Sequence, residues 1–375
     1  MLAGRLKTIL RGLIFCGLWY GSICSGFLFL YCPLLPLLFL HQKLFRQLTD
    51  IVFAAWEMYP AALLECLIGT RIVVKGDAIL PNDRALIIMN HRTRLDWNFL
   101  WAAMFHACKP LAHRLKIVLK APIMHIPGAG WVMQMNCFLY IHRRWERDKV
   151  LLERALNYFR DIATFFFQIL LFPEGTDLTA ESKKRSNQFA LGHKLDLYHQ
   201  VLHPKTTGFV FLAQQMMKNG QLDAVYDITV GYPRTLPQSE IDILKGIFPE
   251  EVHFIITRFA GSSLPAGQEE LKDWLTNRWR IKEETLTKFY ASGSFQTTSS
   301  CNKETKTLSH EQFHSTTLYL ALMFWTLLCF IAIYGLLTSF LIQVFTVINI
   351  SLFLILSFFS QGFHHIEISL FRFKT

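Results

Sequence analysis

The stretch Asn90-His91-Arg92-Thr93-Arg94-Leu95-Asp96-Trp97 holds a histidine and a carboxylate five positions apart. An imidazole accepts protons near neutral pH. A carboxylate on its other ring nitrogen fixes the tautomer and stabilises the imidazolium that forms. Five positions along one helix set two side chains roughly 140° apart, at about 100° per residue. The two therefore meet only if His91 lies in a loop and Asp96 on the first turn of the next helix. Residues 86–89, just upstream, are apolar, as a strand ending there would be.

A surface turn could also carry a chance His and Asp, but a second motif makes coincidence less economical. Leu171-Phe172-Pro173-Glu174-Gly175-Thr176 also follows an apolar stretch. Pro173 ends a strand ladder and Gly175 lets backbone approach a ligand. Glu174 either takes a hydroxyl proton or orients the loop. A third stretch, Tyr140-Ile141-His142-Arg143-Arg144, carries Arg143 out at another strand end. Guanidinium suits phosphate by bidentate hydrogen bonding. Lys120, Lys183, Lys184, Arg185 and Lys205 add positive charge around these loops, for a phosphate-bearing ligand or an anionic membrane surface.

These loops need strands and helices to hold them. Short β-branched runs at 71–75, 85–89, 116–119, 138–141, 168–172, 209–212, 227–230 and 253–257 read as strands. Amphipathic stretches such as 147–164 lie between several of them. This alternation predicts an α/β fold with a largely parallel sheet flanked by helices, whose sites sit at the carboxyl ends of strands. Residues 271–290 read as a charged amphipathic helix closing the domain, and 291–309 as an exposed linker.

The flanks are different. Residues 12–40 contain no charge, which as one helix is roughly 44 Å against a hydrocarbon core of roughly 30 Å. That run is tilted, or bent at Pro33 and Pro36, and reads as a retained anchor rather than a cleaved signal. Residues 51–70 include Glu57, Pro60 and Glu65, which suits an interfacial or protein-buried helix. Residues 315–363 carry no charge and allow two crossings, with breaks available near Gly335 and Gln343. The sequon Asn349-Ile350-Ser351 falls inside that run and is set aside. The organisation that follows is a membrane anchor with an interfacial helix over 1–70, a catalytic domain over 71–290, a linker over 291–314 and a transmembrane region over 315–375.

Composition agrees. Of 375 residues, 52% are hydrophobic and 18% charged, with 33 Phe, which is too apolar for an ordinary soluble enzyme. The net charge of +10 fits anionic partners, and no motif supports nucleic acid. The eight cysteines show no paired spacing for zinc or a disulfide framework.

His-x4-Asp followed by Phe-Pro-Glu-Gly-Thr resembles the glycerolipid acyltransferase family, which includes 1-acylglycerol-3-phosphate acyltransferases. The resemblance covers roughly 70–290. It implies that His91 and Asp96 are the catalytic pair, and that Arg143, Glu174, Gly175 and Thr176 meet the phosphate and glycerol of an acceptor. His203-Pro204-Lys205-Thr206-Thr207-Gly208 is similar to a later Pro-Arg-Thr-x-Gly segment, with Lys205 in place of Arg. The implied co-substrate is acyl-CoA, with no bound cofactor and no metal. Many members continue the second motif with Arg; Asp177 stands there instead, which argues against a terminal phosphate monoester. The strings NHRTRLDW and FPEGTDLT are most similar to the lysocardiolipin acyltransferase branch. That implies lysocardiolipin, lysophosphatidylglycerol or lysophosphatidylinositol as acceptor, in a multi-pass endoplasmic-reticulum protein. Two alternatives stay open: phosphatidic acid synthesis, and zinc proteolysis through His310-Glu311-Gln312-Phe313-His314, which fits HExxH but has no third ligand at a recognised spacing.

Overall fold

A computed structural model describes residues 2–108, 115–162, 167–296, 307–309, 316–359 and 361–372. The strands are β1 (Arg71–Asp77), β2 (Ala85–Met89), β3 (Leu115–Lys120), β4 (Leu139–Ile141), β5 (Gln168–Leu171), β6 (Ala224–Gly231), β7 (Glu251–Ala260) and β8 (Thr307–Ser309). The chain opens with α1 (Leu2–Gly26), α2 (Leu35–Leu40) and α3 (Gln42–Ala62). Between the strands run α4 (Asp96–Ala107), α5 (Ala129–Met135), α6 (Trp145–Ile162), α7 (Ala180–Gly192), α8 (Thr206–Lys218), α9 (Glu240–Leu244) and α10 (Gln268–Ser292). It closes with α11 (Thr316–Thr338), α12 (Phe340–Phe359) and α13 (Phe363–Arg372). The chain divides into two compact units. One comprises Met1–Leu13, Leu64–Leu115 and Phe166–His314; the other comprises Ile14–Leu63, Lys116–Phe165 and Ser315–Thr375.

In the first unit the strand order is β5-β2-β6-β7-β1-β8. β2 is parallel to both β5 and β6, and β1 is parallel to β7. β6 and β7 run antiparallel, as do β1 and β8, so the sheet is mixed but largely parallel. β2, β5 and β6 are buried along their whole length, as parallel strands covered on both faces must be. α10, which covers the stretch read as an amphipathic helix, buries Leu271, Leu275, Trp279, Leu286 and Phe289.

One strand is corrected. Residues 209–212 lie inside α8, not in the sheet. Phe209, Val210, Phe211 and Leu212 are all buried, and a short continuous apolar run has no period that separates strand from buried helix. Three residues of the stretch read as linker, Thr307–Ser309, form the antiparallel edge strand β8.

In the second unit, β3 and β4 pair in parallel. α1 passes through a π-turn (Phe27–Tyr31) and a 3-10 turn (Cys32–Leu34) before α2. Pro33 and Pro36 lack the N–H that a regular helix would use there. α3 carries Arg46, Asp50 and Glu57 on buried positions. Lys116 pairs with Asp50 at 2.8 Å, and Arg46 lies 3.6 Å from Glu367 of α13. Tyr158 and Cys137 also donate to the Glu367 carboxylate, so this charge is held within protein rather than lipid. The C-terminal apolar run breaks at Ser339, between the two positions read from sequence.

Among the described residues, four helical segments are long and apolar enough to cross a membrane: Gly4–Leu40, Gln42–Ile68, Thr316–Thr338 and Phe340–Phe358. The second of these, which includes the stretch read from sequence as interfacial or protein-buried, qualifies by length while burying Arg46, Asp50 and Glu57.

Candidate active site

Three parallel strands of the first unit end side by side, and each exit loop supplies part of one constellation. β2 stops at Met89, and the side chain of Asn90 then bridges to β6. Its Oδ1 accepts from Val230 N at 2.8 Å and its Nδ2 donates to Val230 O at 3.1 Å. His91 opens the loop and Asp96 opens α4, the loop-to-helix junction that their spacing requires. His91 Nδ1 lies 3.0 Å from Asp96 Oδ2, which also accepts from Thr93 N at 3.0 Å. Tyr232, one residue past β6, donates its hydroxyl to Asp96 Oδ1 at 2.6 Å. Asp96 is wholly buried, whereas the imidazole keeps 17% of its surface exposed. The ring lies over Phe172 of the β5 exit, with centroids 4.4 Å apart.

Burial alone would pull the His91 pKa down. The hydrogen bond and charge of Asp96, with Glu174 and Asp177 behind it, outweigh burial and hold the imidazole above its ordinary value. Tyr232 is pushed well above the phenol range by burial and by Asp96, so it stays a donor. Nδ1 being committed to Asp96, Nε2 is the nitrogen left to accept a proton from a ligand.

Glu174 is buried and ties three elements together. Its Oε1 accepts from His91 N at 3.1 Å and from Trp279 Nε1 of α10 at 3.3 Å; its Oε2 accepts from Leu202 N at 3.0 Å. Burial pushes its pKa up to about 7 against these donors. Of the two roles read from sequence, this geometry is that of a loop tie. Gly175 is exposed at φ +72°, and a side chain there would meet Lys205. Lys205 N in turn donates to Pro173 O at 2.8 Å. A lysine ammonium is thus brought to the Pro-Glu-Gly-Thr turn. Thr176 Oγ1 donates to Asp177 at 3.2 Å, and Arg94 of the first motif approaches Asp177 at 3.8 Å.

Arg143 and Lys120 belong to the second unit. Lys120 ends β3 and is exposed. Arg143 is exposed two residues past β4 at φ +60°, a conformation uncommon outside glycine. Asp148 fixes the bend by accepting from His142 N at 2.7 Å and Arg144 N at 3.0 Å. The HExxH stretch 310–314 lies outside the described residues. Among the described residues, no group of three or more His, Cys, Asp or Glu side chains is arranged to hold a metal.

Residues 71–233 match the family model described as Acyltransferase, and residues 242–325 match Acyltransferase C-terminus. The chain is 45% identical over 280 residues to lysocardiolipin acyltransferase 1 of Gallus gallus, covering 75% of this chain and 72% of that protein. It is 40% identical over 294 residues to lysophosphatidylinositol acyltransferase 10 of Caenorhabditis elegans, covering 76% and 74%. It is 35% identical over 250 residues to a probable 1-acyl-sn-glycerol-3-phosphate acyltransferase of Arabidopsis thaliana, covering 67% and 65%. The chain belongs to the glycerolipid acyltransferase family.

Within this acyltransferase, sequence reasoning missed Tyr232, Trp279 and Lys282. The signal for Tyr232 was present: it is a polar aromatic directly beyond a third strand, and the strand-exit rule that selects His91 and Glu174 selects it too. Trp279 and Lys282 carried no such signal, because both sit on a helix whose apolar face read as ordinary packing. Lys282 is wholly buried, bonded to Ile228 O at 2.6 Å, to Thr229 Oγ1 at 3.0 Å and to Asp227. Arg278 reaches the same Asp227 at 2.7 Å.

Proposed function

We propose that this acyltransferase transfers a fatty acyl group from acyl-CoA to the free hydroxyl of an anionic lysophospholipid with a diester headgroup. Lysocardiolipin, lysophosphatidylglycerol and lysophosphatidylinositol are the acceptors to try first, in endoplasmic-reticulum membranes. The observation that carries the reading is the His91–Asp96 pair: a partly exposed imidazole on a buried carboxylate, held by Tyr232 and Thr93. His91 Nε2 removes the proton of the lysolipid hydroxyl as its oxygen attacks the thioester carbonyl carbon. The carbon–sulfur bond of the tetrahedral intermediate then breaks, and the imidazolium returns its proton to the departing thiolate. Asp96 holds the ring throughout, and no acyl-enzyme forms. Glu174 positions the loop, and Lys205 and Thr176 face the acceptor phosphate beside Gly175; Arg143 and Lys120, in the second unit, are further candidates for binding phosphate.

Asp177 favours a diester over a monoester acceptor, because a carboxylate replaces a phosphate-binding base. Phosphatidic acid synthesis is the competing reading, supported by the similarity to a probable 1-acyl-sn-glycerol-3-phosphate acyltransferase. Labelled acyl-CoA offered with a panel of lysolipids to isolated membranes separates the two. His91→Ala should lower transfer by on the order of 10² to 10⁴. Near-normal transfer by that variant would discard the mechanism; lysophosphatidic acid as the preferred acceptor would discard the substrate class.

A further inference from the structure

The segment after Tyr232 leads from the active-site loops to the start of the first membrane helix, all within the first unit. Thr93 Oγ1 donates to Pro237 O at 2.7 Å, which ties that segment to the His91 loop. Two residues on, Ser239 caps the short helix α9, and the turn closes at Gly246. That turn meets α1 backbone to backbone. A side chain at Gly12 would collide with the carbonyls of Ile243 and Leu244, and one at Gly246, whose φ is +77°, would collide with the carbonyl of Thr8. Arg11 fastens the junction by donating to Ile68 O and lying over Phe248.

Thr8 and Gly12 fall at the beginning of the candidate span Gly4–Leu40, which has 37 residues. A hydrocarbon core of roughly 30 Å needs only about 20 helical residues. If Gly4–Leu40 spans a bilayer, the basic N-terminal part of α1 has length to spare for the interface, which would bring the turn against it to headgroup level. The turn is unusually apolar for a solvated surface: Ile241 is 60% exposed, Leu244 39% and Ile247 40%. Arg5, Lys7 and Lys245 are exposed around it and outnumber the exposed Glu240, while Asp242 is engaged in capping.

We propose that the turn around α9 is a second, monotopic membrane contact. Ile241, Leu244 and Ile247 enter the headgroup–acyl boundary of the leaflet at which α1 begins, and Arg5, Lys7 and Lys245 meet its anionic headgroups. The contact holds the strap from Tyr232 to Gly246, and with it the His91 loop, at that surface.

The test is a depth measurement on the full chain in nanodiscs containing phosphatidylglycerol, so it does not depend on the acyltransfer reading. Nitroxide labels at Ile241→Cys and Ile247→Cys are compared with one at Glu270→Cys in α10, with labelled wild type as the blank for native cysteines. The contact requires oxygen access at 241 and 247 to exceed that at 270 severalfold, with the reverse for a water-soluble nickel chelate. Labels at 241 and 247 as accessible to nickel as the one at 270 would overturn it. So would deep burial from both reagents, which would mean that protein covers the turn.

Discussion

In the proposed mechanism His91 is a base only while its ring is neutral, so its neighbours set both the rate and the pH at which it would work. Its pKa is raised, and the acid limb of the rate profile should therefore lie above the ordinary histidine value. Asp96→Asn removes the main raising influence and leaves burial, which lowers it, opposed only by Glu174 and Asp177. The limb should move to lower pH while the plateau falls by on the order of 10² to 10⁴. Tyr232→Phe should act oppositely on the limb. Losing the hydroxyl leaves more carboxylate charge for the imidazolium, so the limb moves up, and kcat falls about tenfold, the equivalent of roughly 1.4 kcal/mol, with KM held. Opposite limb shifts from the two variants are the signature to measure; an unmoved limb in Tyr232→Phe would reduce that residue to packing. Glu174 offers a stability readout. Its pKa rises to about 7 on folding, so the folded state holds a proton that the unfolded chain has already lost. Stability from this group is greatest at low pH and declines between roughly pH 4.5 and 7. Measured as Tm in detergent, the difference between wild type and Glu174→Gln should shift against wild type across that window.

At the scale of elements, the site is a matter of which strands are neighbours. β2 lies between β5 and β6 and runs parallel to both, so three exit loops leave one edge together. His91 with Asp96, Glu174 with Gly175, and Tyr232 each come from a different one. α10 closes the arrangement from behind through Trp279 and the buried Lys282–Asp227–Arg278 cluster. Asp227→Ala leaves two cations without their anion and should cost about 3–5 kcal/mol. Lys282→Met leaves Asp227 paired with Arg278 and should cost distinctly less, an order that thermal unfolding of the two variants can check. Strands β1 to β7, α6 and α10 were legible as patterns, but β8 and α8 were not. Its run Phe209–Val210–Phe211–Leu212 is apolar on every side, because the helix is buried on every side there, and such a run has no period to read.

The whole molecule joins a basic catalytic portion to apolar helices, and its net charge of +10 sets how it meets lipid. Transfer to an anionic lysolipid in anionic vesicles should fall as ionic strength rises from about 0.05 to about 0.5 M, because the Debye length shrinks from roughly 14 to 4 Å. A salt-independent rate would remove surface charge from the account. The sequence by itself determined the class of fold, the apolar flanks and the His91–Asp96 pairing. Each is local: hydrophobic period, run length, and a five-residue spacing with one loop-to-helix solution. It also carried Asp177 at a position where many family members have Arg, on which the proposed diester acceptor rests. Only the tertiary structure decided what surrounds that pair. Tyr232 comes from 136 positions away in sequence and Trp279 reaches Glu174 across 105, and no local pattern records such contacts. The fold also brings three donors to the buried Glu174 carboxylate, from His91, Leu202 and Trp279, and no local pattern in the sequence announces them.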